Sequence, residues 1–86
     1  MVMQTQNGLS ENELVRMEAR SNAASPGPWI SLVVGRDLEA GLNCIELLGC
    51  CKTVEVFGGT VADQDFIASA REDIQLLIDE VRRLRR

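Results

Sequence analysis

Histidine and tyrosine are absent from this chain of 86 residues, and its only aromatic residues are Trp29, Phe57 and Phe66. Lack of histidine removes the commonest general acid/base and the commonest nitrogen ligand for a metal, and lack of tyrosine removes the phenolic proton donor. The chain is therefore expected not to be an enzyme, and neither a cofactor nor a metal is assigned to it. Long apolar runs are missing too. No window approaches the roughly 20 apolar residues that span a bilayer, and Met1–Leu9 has no basic start followed by an apolar run. Neither membrane insertion nor export is expected. Proline is confined to Pro26 and Pro28.

Cysteine is scarce and oddly placed. Cys44, Cys50 and Cys51 have no CxxC spacing, and with no histidine they cannot complete a common zinc set or form an activated Cys–His pair. Reduced thiols in a cytoplasmic protein are expected. The competing reading is a redox-sensitive or intermolecular disulfide at Cys50 or Cys51.

What remains is 45% apolar and 26% charged, the make-up of one folded domain with an aliphatic core. A domain of this length buries only about 60 to 65% of the surface its unfolded chain exposes. Net charge is −4, unevenly spread: all 13 acids precede residue 81, whereas four of the nine bases fall in the last six residues.

Along the chain, Met1–Leu9 lacks periodicity and reads as a disordered arm before a single domain over residues 10–86. Ser10-Glu11-Asn12-Glu13 has the form of a capping box and starts a helix, with Leu14, Met17, Ser21 and Ala24 as a weak stripe. Pro26 pushes Ser25 out of the helical region, and Ser25-Pro26-Gly27-Pro28 fits a type II turn with positive φ at Gly27. Strands follow in "WISLVVG", "LNCIELLGC" and "KTVEVFGG". In the last, alternation of Val54 and Val56 around Glu55 suggests one buried and one wet face.

Gly58 and Gly59 end that strand, and Thr60-Val61-Ala62-Asp63 is a second capping-box-like start. Ile67, Ala70, Ile74, Leu77, Val81 and Leu84 then recur at helical spacing, flanked by Phe66 and Ile78. A helix of about 24 residues, roughly 36 Å long, is predicted. It is expected to overhang a domain about 30 Å across.

The fold class is thus α+β: α-β-β-β-α, with a small antiparallel three-stranded sheet packed against a long C-terminal helix and a short N-terminal one. So small a core leaves apolar surface over. A homodimer would cover it, formed through the sheet face or the C-terminal helix, where Ile74, Leu77, Val81 and Leu84 are the interface candidates.

Three other patterns carry weaker signals. Arg82, Arg83, Arg85 and Arg86 complement a helix C-terminus; with an acidic chain and few aromatics, nucleic-acid binding through them is disfavoured. "FGGT" before a helix lacks the P-loop lysine, and Asp63 and Asp65 would repel a phosphate. Asp63, Asp65, Glu72 and Asp73 read as helix-start and solvated acids rather than a catalytic carboxylate pair.

Two segments together, "ARSNAASPGPW" and "ADQDFIASAREDIQLLIDEVRRLR", resemble a diffuse group of small uncharacterised proteins of bacteria, phages and mobile gene cassettes. These share a PGPW turn after an alanine-rich helix and a closing Asp-Phe-Ile-Ala-x-Ala-Arg-x-Asp-Ile helix. The resemblance spans residues 19–29 and 62–84. It implies a cytoplasmic accessory protein encoded on mobile DNA and assigns no catalytic residue.

The leading functional expectation is a non-catalytic, homodimeric protein-interaction module. The alternative is a small-molecule-binding module with a pocket between sheet and long helix, lined by Trp29, Phe57 and Phe66. Trp29 itself has two readings, an anchor joining helix to sheet or a pocket wall.

Overall fold

The computed structural model describes residues 8–86; the expected arm at residues 1–9 lies outside them except for Gly8 and Leu9. Helix α1 spans Glu11–Ala23 and opens on the expected capping box. The Glu13 amide donates to Ser10 Oγ at 3.1 Å, and the Ser10 amide donates to Glu13 Oε1 at 2.8 Å. Two amides that have no partner inside the helix are thereby satisfied.

After the turn come strands β1 (Trp29–Leu32), β2 (Cys44–Leu47) and β3 (Lys52–Glu55), then helix α2 (Val61–Leu84). The sheet is antiparallel in the order β1-β2-β3, with Trp29 opposite Leu47 and Ile45 opposite Val54. This is the α-β-β-β-α architecture that the sequence implies. No helix of the described residues is long and apolar enough to cross a membrane.

The predicted type II turn is corrected. Gly27 has no positive φ, and the Gly27–Pro28 peptide bond is cis. A Cβ at Gly27 would meet Glu72 Oε2, the movable end of a side chain, whereas Gly49 in the β2–β3 connection is held to glycine by backbone. A Cβ there would lie 2.5 Å from the Pro26 carbonyl oxygen and 2.8 Å from Pro26 Cγ. The two loops close on each other at that point. In the same connection Cys51 holds φ at 60°, a left-handed conformation unusual for a residue with a side chain.

Helix α2 begins on the second capping box, Thr60 with Asp63, and runs for the predicted 24 residues. Its first half crosses the sheet. Ile45, Leu47 and Ala68 form the buried cluster there, with Trp29, Cys50 and Val56 packed against it. Gln64, 1% exposed, donates through Nε2 to the Leu32 and Cys44 carbonyls at 3.1 and 3.0 Å. Because Leu32 and Cys44 are paired residues, one side chain ties α2 to the ends of two strands.

The second half of α2 lies along α1, which runs antiparallel to it. Arg71 Nη1 donates to Ser21 Oγ at 2.8 Å, and Ser21 Oγ donates to Gln75 Oε1 at 3.1 Å. Further along, Arg82 bonds Glu11 at 2.6 Å and Glu18 at 2.8 Å. The last turns therefore extend past the sheet but not free of the domain, since α1 accompanies them. Edge strand β3 lies beyond the reach of α2, so all four of its residues are exposed, Val54 included. The buried face expected for that strand is restricted to half-buried Val56.

Candidate functional site

The side of α2 turned toward the rest of the domain is formed largely by polar residues. Gln64, Arg71, Gln75 and Arg82 bond to the sheet or to α1, with Ala68 and Ile78 as the buried apolar members. The most regular apolar row is displaced from that side. Phe66, Leu77 and Leu84 are 73%, 61% and 67% exposed, Ile67 and Ile74 are exposed, and Ala70 and Val81 are half-buried. This inverts the usual amphipathic arrangement, in which the apolar stripe faces the domain's own core. What compensates is hydrogen bonding: each long polar side chain on the inner side has a partner.

Between the first half of that row and the end of α1 lies an open groove of about 500 Å3. Its apolar lining includes Met17 from α1, Trp29 from β1, and Phe66, Ile67 and Ile74 from α2. Trp29 enters at one end because its indole Nε1–H donates to the Ser25 carbonyl at 3.0 Å, which fixes the ring against the turn. The Arg71 guanidinium sits over the ring, 6.0 Å from its centroid. Arg71 and Arg20 are the two cations lining the groove, and Arg71 Nε is buried with no hydrogen-bond partner among the described residues. The result is an apolar trough to which each helix contributes one cation, Arg20 from α1 and Arg71 from α2.

Of the proposed pocket residues, Trp29 and Phe66 line this groove and Phe57 is not among its lining residues. The groove lies between the two helices rather than between sheet and helix. Phe57 is 75% exposed beside Gly58 and Gly59. The interface candidates Ile74, Leu77, Val81 and Leu84 fall in one row on α2. Sequence reasoning missed Met17, Arg20 and Arg71 as groove residues. Ala24 and Met17 already shared a stripe on α1, but nothing local indicated that Arg71 would cover Trp29, 42 positions earlier in the chain.

The remaining sequence candidates are dispersed. Asp65 pairs bidentately with Arg36, at 2.9 and 3.1 Å, and Arg36 also bonds Asp37 at 2.8 Å. Asp63 is spent on the helix cap. No group of three metal-ligating side chains occurs among the described residues. Cys44 and Cys50 are half-buried free thiols, and Cys51 is an exposed one. Of the C-terminal arginines, Arg82 and Arg85 engage Glu11, and Arg83 engages Glu80.

Charge pairing sets the acidities. Hydrogen bonding from Arg82 holds the Glu11 carboxyl below its ordinary value, and Arg36 does the same to Asp65. Asp37 is lowered by the Val33 amide, which donates to it at 2.9 Å, and then by Arg36. Glu13 is lowered by its capping hydrogen bonds with Ser10, and Glu80 by the hydrogen bond from Arg83.

No family model matches the chain, and neither a curated protein nor a solved structure matches it.

Proposed function

We propose that the protein is a non-catalytic interaction module that works as a homodimer and binds a further protein. The observation that carries this reading is the outward row of α2, Ile67, Ile74, Leu77 and Leu84, all of them exposed. A regular apolar row on a rigid helix, flanked by charged residues, is the form an association surface takes. The groove continues it onto Met17 of α1, which widens the surface available to a helix laid alongside. A cytoplasmic accessory role on mobile DNA, implied by the resemblance of the PGPW turn and closing helix, belongs to the same reading.

Light scattering in reductant from micromolar to millimolar concentration tests it. A dimer is expected. A strict monomer over that range overturns the homodimer reading.

A second reading has its own support. The groove falls within the size range of small-molecule sites, and its apolar lining with Arg20 from α1 and Arg71 from α2 suits an apolar body carrying an anionic group. The two readings compete, because Ile67 and Ile74 serve both. A Trp29 fluorescence titration with metabolites and nucleotides, with dimer mass measured in parallel, separates them: a ligand that quenches Trp29 in a monomer favours the pocket.

A further inference from the structure

The row on α2 has the period of a coiled-coil seam. Ile67, Ile74 and Val81 are seven apart, and Ala70, Leu77 and Leu84 are seven apart, three residues on. In heptad terms the first set occupies a and the second d. Every a residue is β-branched and two of three d residues are leucine, the combination that favours two parallel strands. Phe66, Asp73 and Glu80 then fall at g, on one flank of the seam, and Gln64, Arg71, Ile78 and Arg85 at e, on the other.

From this arrangement we infer that two copies associate through α2 in parallel and in register, with Arg20 of each copy paired to Asp73 of the other. This rests on the dimer reading above and adds its direction and ion pair. The flanks are not equivalent. Arg71 at e bonds Ser21, so α1 occupies the e side, and Arg20 of α1 lines the groove there. Ser21 touches both Arg71 and Gln75, which puts its neighbour Arg20 level with Asp73. Neither Arg20 nor Asp73 has an ion-pair partner among the described residues.

Parallel packing sets each e flank against the other copy's g flank, so Arg20 meets Asp73 of the second copy at the same level, twice by symmetry. Antiparallel packing sets g against g. With Ile74 against Leu77 of the second copy, Asp73 then faces Glu80, also twice; Glu80 is already paired with Arg83 of its own chain, so Asp73 gains no cation there and meets a like charge instead of Arg20. The charges of this chain therefore select the parallel arrangement.

The first test is charge reversal in the full-length protein under reductant, read as the dimer dissociation constant by sedimentation. Asp73→Arg and Arg20→Asp should each weaken the dimer at least about tenfold, and the double variant should recover most of the loss. An antiparallel dimer would instead tighten with Asp73→Arg, because an acid–acid contact is removed. That result, or no change in either single variant, overturns the inference while leaving a dimer standing. A monomeric parent overturns the dimer reading itself.

The second test is Leu84→Cys with Cys44 and Cys50 changed to Ala and Cys51 to Ser, the fold checked by circular dichroism. In parallel helices the two introduced thiols face each other and oxidise to a covalent dimer. In antiparallel ones they stand roughly 25 Å apart, beyond the ~7 Å Cα separation a disulfide tolerates. Absence of the cross-link in a folded dimer overturns the inference; if the cysteine-free background does not fold, the charge-reversal series decides alone.

Discussion

The Arg71 guanidinium lies over the Trp29 indole, 6.0 Å from the ring centroid, while its Nη1 holds Ser21 of α1. One side chain therefore joins three elements: the sheet through Trp29, the short helix through Ser21, and the long helix from which it springs. The tryptophan in turn packs against Ile45, Leu47 and Ala68. Trp29→Ala should cost about 3 kcal/mol, near the lower end for a large aromatic because the ring is only half-buried. Arg71→Met, which keeps bulk and loses the Ser21 bond and the stacked charge, should cost about 1 to 2 kcal/mol. Urea unfolding followed by circular dichroism measures both. If Trp29→Ala leaves stability unchanged and abolishes only ligand binding, the tryptophan is a binding residue and not an anchor.

Gln64 is a buried polar side chain with two acceptors to serve. Gln64→Leu keeps the volume and leaves the Leu32 and Cys44 carbonyls without their donor. The expected loss is about 1 to 3 kcal/mol, read from the urea midpoint, with hydrogen exchange quickening at the β1 and β2 ends. A neutral effect would mean that water satisfies those carbonyls equally well.

The β2–β3 connection supplies a pair of opposite-signed changes. Gly49→Ala drives a methyl group into the Pro26 backbone, which cannot rotate away as a side-chain end could; a loss of about 1 to 3 kcal/mol is expected. Cys51→Gly relieves a left-handed backbone and should gain about 0.5 to 1 kcal/mol. Thermal melts of the two variants beside the parent check the signs.

Acid should unfold the protein through its ion-paired carboxylates. Glu11, Asp37 and Asp65 are all more acidic in the folded chain than ordinarily, so the folded state binds fewer protons than the unfolded one. Their contribution is complete at neutral pH and is lost as pH falls below the ordinary values of 4.5 for Glu11 and 3.8 for Asp37 and Asp65. The melting temperature should be flat near neutrality and drop below pH 4.5. Arg36→Gln, which removes the leading partner of Asp65 and leaves Asp37 its Val33 amide, should flatten the drop in part; an acid limb identical to the parent's would remove the Arg36 pairs from the explanation.

Much of the fold was legible because its signals are local. Ser10 with Glu13 and Thr60 with Asp63 mark helix starts within four residues, and the uninterrupted stretch from Thr60 sets the length of α2. The Pro-Gly-Pro turn was misread because that tripeptide admits more than one way of reversing the chain. Links such as Arg36 to Asp65, or Arg82 to Glu11, join residues 29 and 71 positions apart and leave no trace in spacing. The site was half legible for a deeper reason. Periodicity identifies the apolar row of α2, but whether that row meets the domain's own sheet depends on Gln64, Arg71 and Gln75, whose hydrogen bonds turn the polar side inward.

In the proposed homodimer a second copy of the chain covers this outward row. Sedimentation equilibrium of the native protein and of Leu77→Glu, in reductant, tests it most directly. Leu77 is 61% exposed, so the substitution should leave the helical circular dichroism and the melting profile of the isolated chain intact. The native protein should sediment at twice the 9.5 kDa chain mass and the variant at 9.5 kDa. A native protein that stays at 9.5 kDa into the millimolar range, or a variant that dimerises as well as its parent, would contradict it.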